Sequence, residues 1–309
     1  MKVAVVDIGS NTTKVLVAQK NSHGLLCSVA QKSLPCRLAT GLGKGDSILS
    51  TKALEQTLEV IDELLHFSKN FSPDLIKIVA TEALRLLKNA DVLIESIRNR
   101  FGFSADIISG SEEASLIARG LMTDPAVSSL NEFFAIDLGG GSLEIMKVIK
   151  GQPVNIKSLP LGAVVLAEKF LDDLSVEPAP TNIFALQNYV TTVLGDNVFP
   201  NTSKHVQLVG TGGAIIFLRQ LICSNKNIEF LEHPKLNFSD IDKLAFQINS
   251  MNLFERISQF NELPRDRADV FPAALIVILE LMKFLKLAKL THSFHNLRYG
   301  LADQLLNDI

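Results

Sequence analysis

The sequence predicts a mixed α/β protein built from two related halves, and three observations carry that expectation. A strand, Asp-x-Gly turn, strand unit occurs twice, as VAVVDIGSNTTKVLV at Val3 to Val17 and FFAIDLGGGSLEIMKV at Phe133 to Val148. The copies keep one spacing: Asp137, Gly139 and Ser142 each stand 130 residues after Asp7, Gly9 and Thr12, as expected of two half-structures facing one ligand. Around them, short β-branched runs alternate with stretches whose apolar residues recur at helical spacing.

Taken in order, the first hairpin is followed by further strand over Leu25 to Leu38, then by a glycine-rich connection at Gly41, Gly43 and Gly45 that contains Lys44. Ser50 or Thr51 caps a helix whose residues Leu54, Leu58, Ile61, Leu64 and Leu65 fall on one face, marking it as scaffold. Asp74 to Ala80 reads as strand, Thr81 to Arg85 as a helix start, Val92 to Arg100 as helix and Ala105 to Ile108 as strand. Ser109 and Glu112 have capping-box spacing at the head of a helix through Leu116, Ile117 and Leu121. That spacing explains Glu112 structurally and leaves Glu113 without such an explanation.

The polar stretch Thr123 to Asn131 marks a domain boundary before the second hairpin. Gln152 to Leu159 follows as strand, Leu161-Gly162-Ala163 leads into a helix through Val165 and Phe170, and another helix contains Leu186, Tyr189 and Val193. The strand His205 to Val209 runs into Gly210-Thr211-Gly212-Gly213, and a helix from Ala214 to Leu221 follows it. Asn225 to Asp269 reads as interrupted helix and Ala273 to Leu290 as one apolar helix; Gly300 precedes a last helix, Leu301 to Leu306.

Composition bounds the function. The chain has 309 residues with 47% hydrophobic and 20% charged residues, enough for two soluble domains with their own cores. A net charge of −3 argues against a broad basic surface for duplex nucleic acid. Cys27, Cys36 and Cys223 are widely spaced with no C-x-x-C pair, which argues against a disulfide framework or a zinc site and fits a reducing cytoplasm. Met1-Lys2 precedes only a short apolar run, and the longest such run, Phe271 to Leu279, stops at Glu280. Neither a signal peptide nor a bilayer span is expected.

The hairpins carry the chemistry. Gly139, Gly140 and Gly141 let backbone N–H groups approach an anion without Cβ obstruction, while Asp137 holds a cation or its waters opposite that anion. A glycine run in one hairpin is ordinarily just a turn; its repetition at Asp7 is what favours a phosphate cradle. Neither G-x-x-x-x-G-K-[ST] nor a strand-to-helix G-x-G-x-x-G occurs. Glu113, at a rigid helix start, is either a carboxylate favoured by the helix dipole or a general base for water attacking phosphorus. Arg37 is a loop guanidinium suited to bidentate phosphate binding and Arg85 lies at a strand's end, whereas Lys44 reads as surface charge. Gly210, Gly212 and Gly213 open a helix, where they either bind an anion or permit close packing. His292 and His295 lack ligand-spaced carboxylate or cysteine partners and read as non-metal residues.

These segments resemble the exopolyphosphatase and guanosine pentaphosphate phosphohydrolase family, within the sugar kinase, Hsp70 and actin superfamily. The matching stretches are DIGSNTTKVLV at Asp7, CRLATGLGKG at Cys36, ATEALRLLKNAD at Ala80, ISGSEEASLIARG at Ile108, AIDLGGGSLEI at Ala135, SLPLGAVVLAEKF at Ser158, GTGG at Gly210, RADVFPAALIVIL at Arg267 and LRYGLADQLL at Leu297. The resemblance implies two ribonuclease H-like (actin-like ATPase) domains, 1–128 with a returning helix at 298–309 and 129–297, with an interdomain phosphate cleft. It implies Glu113 as catalytic base, Asp137, Gly139 and Ser142 as the phosphate and magnesium loop with Glu144 as a second acid near the metal, and Asp7, Ser10, Asn11 and Thr12 as the opposing loop, with Asp7, Asp137 and Glu144 as the metal ligands. Arg37, Arg85 and Arg298 would bind the phosphate chain. The implied cofactor is Mg2+ and the implied substrate polyphosphate or guanosine pentaphosphate, in a cytoplasmic protein without nucleic-acid or membrane partners and with a homodimer possible.

Where the family usually has Arg-Leu-Gly-Glu-Gly, this chain has Arg37-Leu38-Ala39-Thr40-Gly41. Leu143 replaces a common threonine, and Lys14 stands where an aliphatic residue or histidine is frequent. The chain also ends without the C-terminal helical extension of longer members, so an extended channel for long polyphosphate is not required and a short-chain or nucleotide substrate stays open beside polyphosphate. Two other readings stay open: a kinase or ATPase of the same superfamily with an adenosine pocket at Gly210 to Gly213, and a non-catalytic polyphosphate or alarmone sensor.

Overall fold

The structure, a computed structural model, describes residues 1–38, 47–198 and 206–308. The connection through Lys44, the substituted positions Ala39 to Gly41 and His205 at the start of an expected strand lie outside the described residues. The chain divides into two compact units. One comprises Met1–Ser129, Gly151–Pro153 and His295–Ile309; the other comprises Leu130–Lys150 and Val154–Phe294.

In the first unit, β1 (Lys2–Ile8) and β2 (Thr12–Lys20) form an antiparallel hairpin, extended by antiparallel β3 (Leu26–Pro35). After helix α1 (Thr51–Lys69) the chain returns as β4 (Leu75–Ala80), parallel to β1. Helices α2 (Glu82–Leu86) and α3 (Ala90–Phe101) lead to β5 (Ala105–Ile107), parallel to β4, and then α4 (Gly110–Met122). Burial decides these elements: β1 hides Val3 to Val6 and Ile8, and α1 turns Leu58, Ile61, Leu64 and Leu65 inward. Ser50 caps α1 by accepting from Ala53 N at 3.2 Å, as its residue type predicts.

The second unit repeats the plan. β6 (Glu132–Leu138) and β7 (Leu143–Ile149) form its hairpin and β8 (Gln152–Leu159) neighbours β7. Helices α5 (Ala163–Phe170) and α6 (Pro180–Asn197) precede β9 (Gln207–Thr211), which is parallel to β6. Then come α7 (Gly213–Lys226), β10 (Lys235–Asn237), α8 (Phe238–Asn249), α9 (Leu253–Gln259), α10 (Arg265–Ala268), α11 (Phe271–Leu285) and β11 (Lys289–His292). The sheet orders are β3-β2-β1-β4-β5 and β8-β7-β6-β9-β11, with β10 added beyond β11. Each unit therefore has the same connectivity, and Asp7 and Asp137 occupy the same place near the end of its central strand. In such sheets ligands meet the chain at the carboxyl ends of parallel strands where the order reverses.

Three expectations about the last third are corrected. The apolar helix does not reach Leu290: it stops at Leu285, because Lys286 takes a left-handed conformation (φ 53°) and caps it, and Lys289–His292 becomes β11. The interval Asn225 to Asp269 also contains the short edge strand β10, paired with β11. The final helix, α12 (Leu297–Asn307), begins earlier than Gly300, because Asn296 caps it by accepting from Arg298 N at 3.1 Å.

Gly300 is inside α12 for a packing reason. A Cβ there would stand 1.8 Å from Leu116 O on α4, and one at Gly120 would stand 2.1 Å from Asn296 O. We expect Gly300→Ala to lose about 2 kcal/mol or more of stability in urea titrations. Gly195→Ala, in the last turn of α6 with no neighbour within 4 Å of the added carbon, should gain about 0.5 kcal/mol.

His295 opens the returning segment, stacked on Tyr299 with centroids 3.9 Å apart and with Nδ1 2.7 Å from Thr123 Oγ1. Burial lowers its pKa below the ordinary 6.5, against the opposing charge of Asp124. The unfolded chain therefore binds this proton at higher pH than the folded one does. The stabilising contribution is present above about pH 6.5 and is lost as pH falls through the lowered folded value. Urea midpoints measured from about pH 7.5 to about pH 5 should fall more steeply for the native protein than for His295→Gln.

Candidate functional site

The turn at Gly139–Ser142 is built around a backbone constraint. Gly139 N donates to Ser142 O at 3.0 Å, closing it. Gly139 O accepts from Ala163 N at 3.0 Å, and Gly140 O accepts from Val164 N at 2.9 Å and Val165 N at 3.2 Å. These are the first N–H groups of α5, which otherwise lack helical partners, and the N-cap Gly162 has no side chain to offer them. A trans peptide holds its N–H opposite its C=O. With both carbonyls aimed at α5, the N–H groups of Gly140 and Gly141 point the other way, where they can meet an anion. Gly162 is indispensable here, since a Cβ would stand 2.1 Å from Gly141 C and 2.4 Å from Gly140 O.

The first unit makes the same turn with different supports. Gly9 N donates to Thr12 O at 3.2 Å, Cys36 Sγ donates to Gly9 O at 3.4 Å, and Asn11 O accepts from the backbone N–H groups of Cys36 and Arg37, both at 3.0 Å. By the same peptide geometry, Ser10 N–H and Thr12 N–H are directed away from the end of β3. Ser10, Asn11 and Thr12 are all buried, and Asn11 Nδ2 has no hydrogen-bond partner among the described residues. A buried donor left in this way fits an anion. Arg37 sits in the left-handed region at φ 52°.

Asp137 lies opposite Glu144 on β7 and opposite Thr211 on β9, so all three side chains share one face of the sheet. Glu144 is buried, and its Oε1 accepts from Ser142 Oγ at 2.6 Å and Ser158 Oγ at 2.8 Å. Thr211 Oγ1 is buried with no hydrogen-bond partner among the described residues. Two carboxylates and an orphaned hydroxyl form a hard oxygen donor set. That set fits magnesium, which takes one or two protein carboxylates and keeps waters or phosphate oxygens for its remaining positions. Among the described residues no group of three His, Cys, Asp or Glu converges as a self-sufficient metal site.

Glu113 and Arg85 meet in the first unit. Arg85 Nη1 donates to Glu113 Oε2 at 2.8 Å and to Ile108 O at 2.8 Å, while Nη2 and Nε reach Glu82 Oε2 at 2.6 and 3.1 Å. Burial works against the Arg85 charge, but Glu113 and Glu82 outweigh it and raise its pKa. Glu113 is buried, on the first turn of α4, where the capping box of Ser109 and Glu112 fixes the helix start. Glu112 Oε2 accepts from Ser109 N at 2.8 Å and Ser109 Oγ at 2.7 Å; these bonds lower its pKa against a small effect of burial.

The remaining candidates are placed as follows. Arg298 is buried on α12 and its Nη1 reaches Val15 O at 3.4 Å. Gly210 has close neighbours, for a Cβ there would meet Ile215 Cδ1 at 2.5 Å. Gly212, at φ 102°, lies against Asp137: its Cβ would stand 2.6 Å from Oδ1. Beside Gly213 lies the Arg267 guanidinium, 3.4 Å from where a Cβ would be. Sequence reading missed Ser158, Thr211 and Gly162 as site residues. Only the strand and helix assignments around them offered a signal, through alternation for Ser158 and Thr211 and a small residue before a helix for Gly162.

Two α/β units of one connectivity, each ending its central strand in an Asp-x-Gly hairpin, define an actin-like two-domain protein. The chain belongs to the Ppx/GppA phosphatase family, whose sequence profile matches residues 16–308. It is 26% identical over 310 residues to the guanosine-5'-triphosphate,3'-diphosphate pyrophosphatase of Vibrio atlanticus (strain LGP32), covering 99% of this chain and 59% of that one. The corresponding protein of Vibrio vulnificus (strain YJ016) is 24% identical over 313 residues, with the same 99% and 59% coverage. The chain thus spans somewhat over half the length of these relatives. Among solved structures, the Aquifex aeolicus Ppx/GppA family member superposes with a TM-score of 0.82 at 25% identity, covering 100% of this chain and 98% of that one. An exopolyphosphatase from Cytophaga hutchinsonii ATCC 33406 has the same fold, with a TM-score of 0.88 at 20% identity, covering 100% and 99%. No helix among the described residues is long and apolar enough to cross a membrane.

Removing the fit beneath the turn tests this construction. Gly162→Ala should cost phosphate affinity at least tenfold in calorimetric titrations with pyrophosphate, because the turn must shift to admit the methyl group. Gly195→Ala, where the added carbon meets nothing within 4 Å, should leave that affinity unchanged.

Proposed function

We propose that this chain is a cytoplasmic phosphohydrolase that removes terminal phosphate from inorganic polyphosphate or converts guanosine pentaphosphate to tetraphosphate. The observation that carries the reading is the pair of turns whose carbonyls are consumed internally, which directs their N–H groups away from those partners, toward where an anion can sit. The names of the relatives support the substrate class: a guanosine-5'-triphosphate,3'-diphosphate pyrophosphatase and an exopolyphosphatase.

In this reading Gly139, Gly140, Gly141 and Ser142 bind the phosphoryl oxygens, as do Ser10, Asn11 and Thr12 on their own unit. Arg37 and Arg298 bind the rest of the phosphate chain. Arg85 orients Glu113 and retains one N–H beyond the four engaged with Glu82, Glu113 and Ile108. Glu113 accepts a proton from water as the water oxygen bonds to phosphorus, and the bridging P–O bond breaks, leaving the shortened chain as an anion. Asp137 and Glu144 would hold magnesium, which supplies charge neutralisation at the phosphoryl oxygens. The close packing at Gly210 counts against the kinase alternative, because it gives a reason for that glycine other than an adenosine pocket.

Phosphate release should be measured from polyphosphates of defined length and from guanosine pentaphosphate, with magnesium or EDTA. We expect magnesium-dependent release that falls about 10²–10⁴-fold in Glu113→Gln while binding persists. Binding without release by the native protein would favour the sensor alternative, and transfer to an acceptor other than water would favour the kinase.

A further inference from the structure

The two hairpins share their register but differ in the charge beside the aspartate. Asp137 pairs across the hairpin with Glu144, whereas Asp7 pairs with Lys14 in the equivalent position. On the parallel side Asp137 faces Thr211, but Asp7 faces Val79. Residues directly opposite in an antiparallel pair project from the same face, so Asp7 and Lys14 share a face just as Asp137 and Glu144 do. One half-site thus presents two carboxylates and a buried hydroxyl, and the other presents a carboxylate, an ammonium and a methyl-bearing side chain.

We propose that Lys14 is a built-in counter-charge that excludes Asp7 from metal binding, so that the chain takes one divalent cation, at Asp137 and Glu144, and holds phosphate on the first unit without a metal. The inference rests on the proposed phosphate chemistry of both turns. An acid pair concentrates negative charge that a divalent cation relieves, while an acid beside an ammonium is already balanced and repels a second cation. Valine in place of threonine removes the neutral oxygen ligand as well. The anion-directed groups of the first unit, Ser10 N–H, Thr12 N–H and the buried Asn11 Nδ2, need no metal to meet a phosphate oxygen. Lys14 Nζ adds a positive charge to that face.

The test is Mn2+ stoichiometry by electron paramagnetic resonance titration of the full chain, in the presence of inorganic phosphate. The native protein and Asp7→Asn should each bind one ion, Glu144→Gln none, and Lys14→Glu two, since that substitution recreates the acid pair of the second unit. Circular dichroism melting identifies any variant that fails to fold, and Lys14→Met, which removes the counter-charge without adding an acid, supplies a second arm by raising Mn2+ affinity at Asp7 at least tenfold. Two ions on the native protein, or loss of the ion in Asp7→Asn with retention in Glu144→Gln, would overturn the proposal. Failure of the native protein to bind Mn2+ would overturn it together with the metal assignment at Asp137 and Glu144, whereas one bound ion without phosphate release would count only against the hydrolase.

Discussion

The structure of the second half-site depends on who accepts the first hydrogen bonds of α5. A helix begins with N–H groups that have no helical partner, and burying them unpaired costs about 1–3 kcal/mol each. Here Gly139 O and Gly140 O accept from Ala163, Val164 and Val165, so the helix start and the turn stabilise one another. The same bonds decide the turn's orientation and therefore its chemistry. Because the peptides are trans, with no cis bond among the described residues, committing the carbonyls to one side commits the amides to the other. Glycine is needed at Gly162, where any side chain would collide with the turn.

Charge is the second constraint. Two carboxylates opposite each other on a strand pair, about 5 Å apart, repel by about 3 kcal/mol at an effective dielectric of about 20. At Asp137 and Glu144 the chain fixes Glu144 with two serine hydroxyls, an arrangement that holds the acid in place. At Asp7 the conflict never arises, because Lys14 occupies the opposing position. Shared backbone geometry thus carries unlike side chains in the two halves.

Much of this was legible in the sequence because residue type and spacing repeat. The two hairpins, their strand partners and the capping box at Ser109 each announce themselves within a few residues. The elements that were misread lack such local marks. Lys286 ends α11 in a conformation that glycine or asparagine usually signals, so Lys289–His292 was hidden inside an apparent helix. Gly300 was taken as a helix boundary when its missing Cβ serves the packing of α12 on α4. Contacts such as Arg85 with Glu113 or Ser158 with Glu144 join residues 28 and 14 positions apart, and no local period reports them.

The ion pair of Glu113 with Arg85 bears on the role proposed for Glu113. Its benefit is orientation: Arg85 is itself anchored by Glu82 and by Ile108 O, and the Ser109 capping box holds the helix from which Glu113 projects. In phosphoryl transfer through a loose transition state, little proton transfer is needed early, and positioning the attacking water supplies much of the acceleration. A carboxylate held rigidly suits that reaction better than one free to rotate. In the proposed reaction Arg85 is therefore a positioning residue for Glu113, and the same guanidinium carries a charge suited to the phosphate chain.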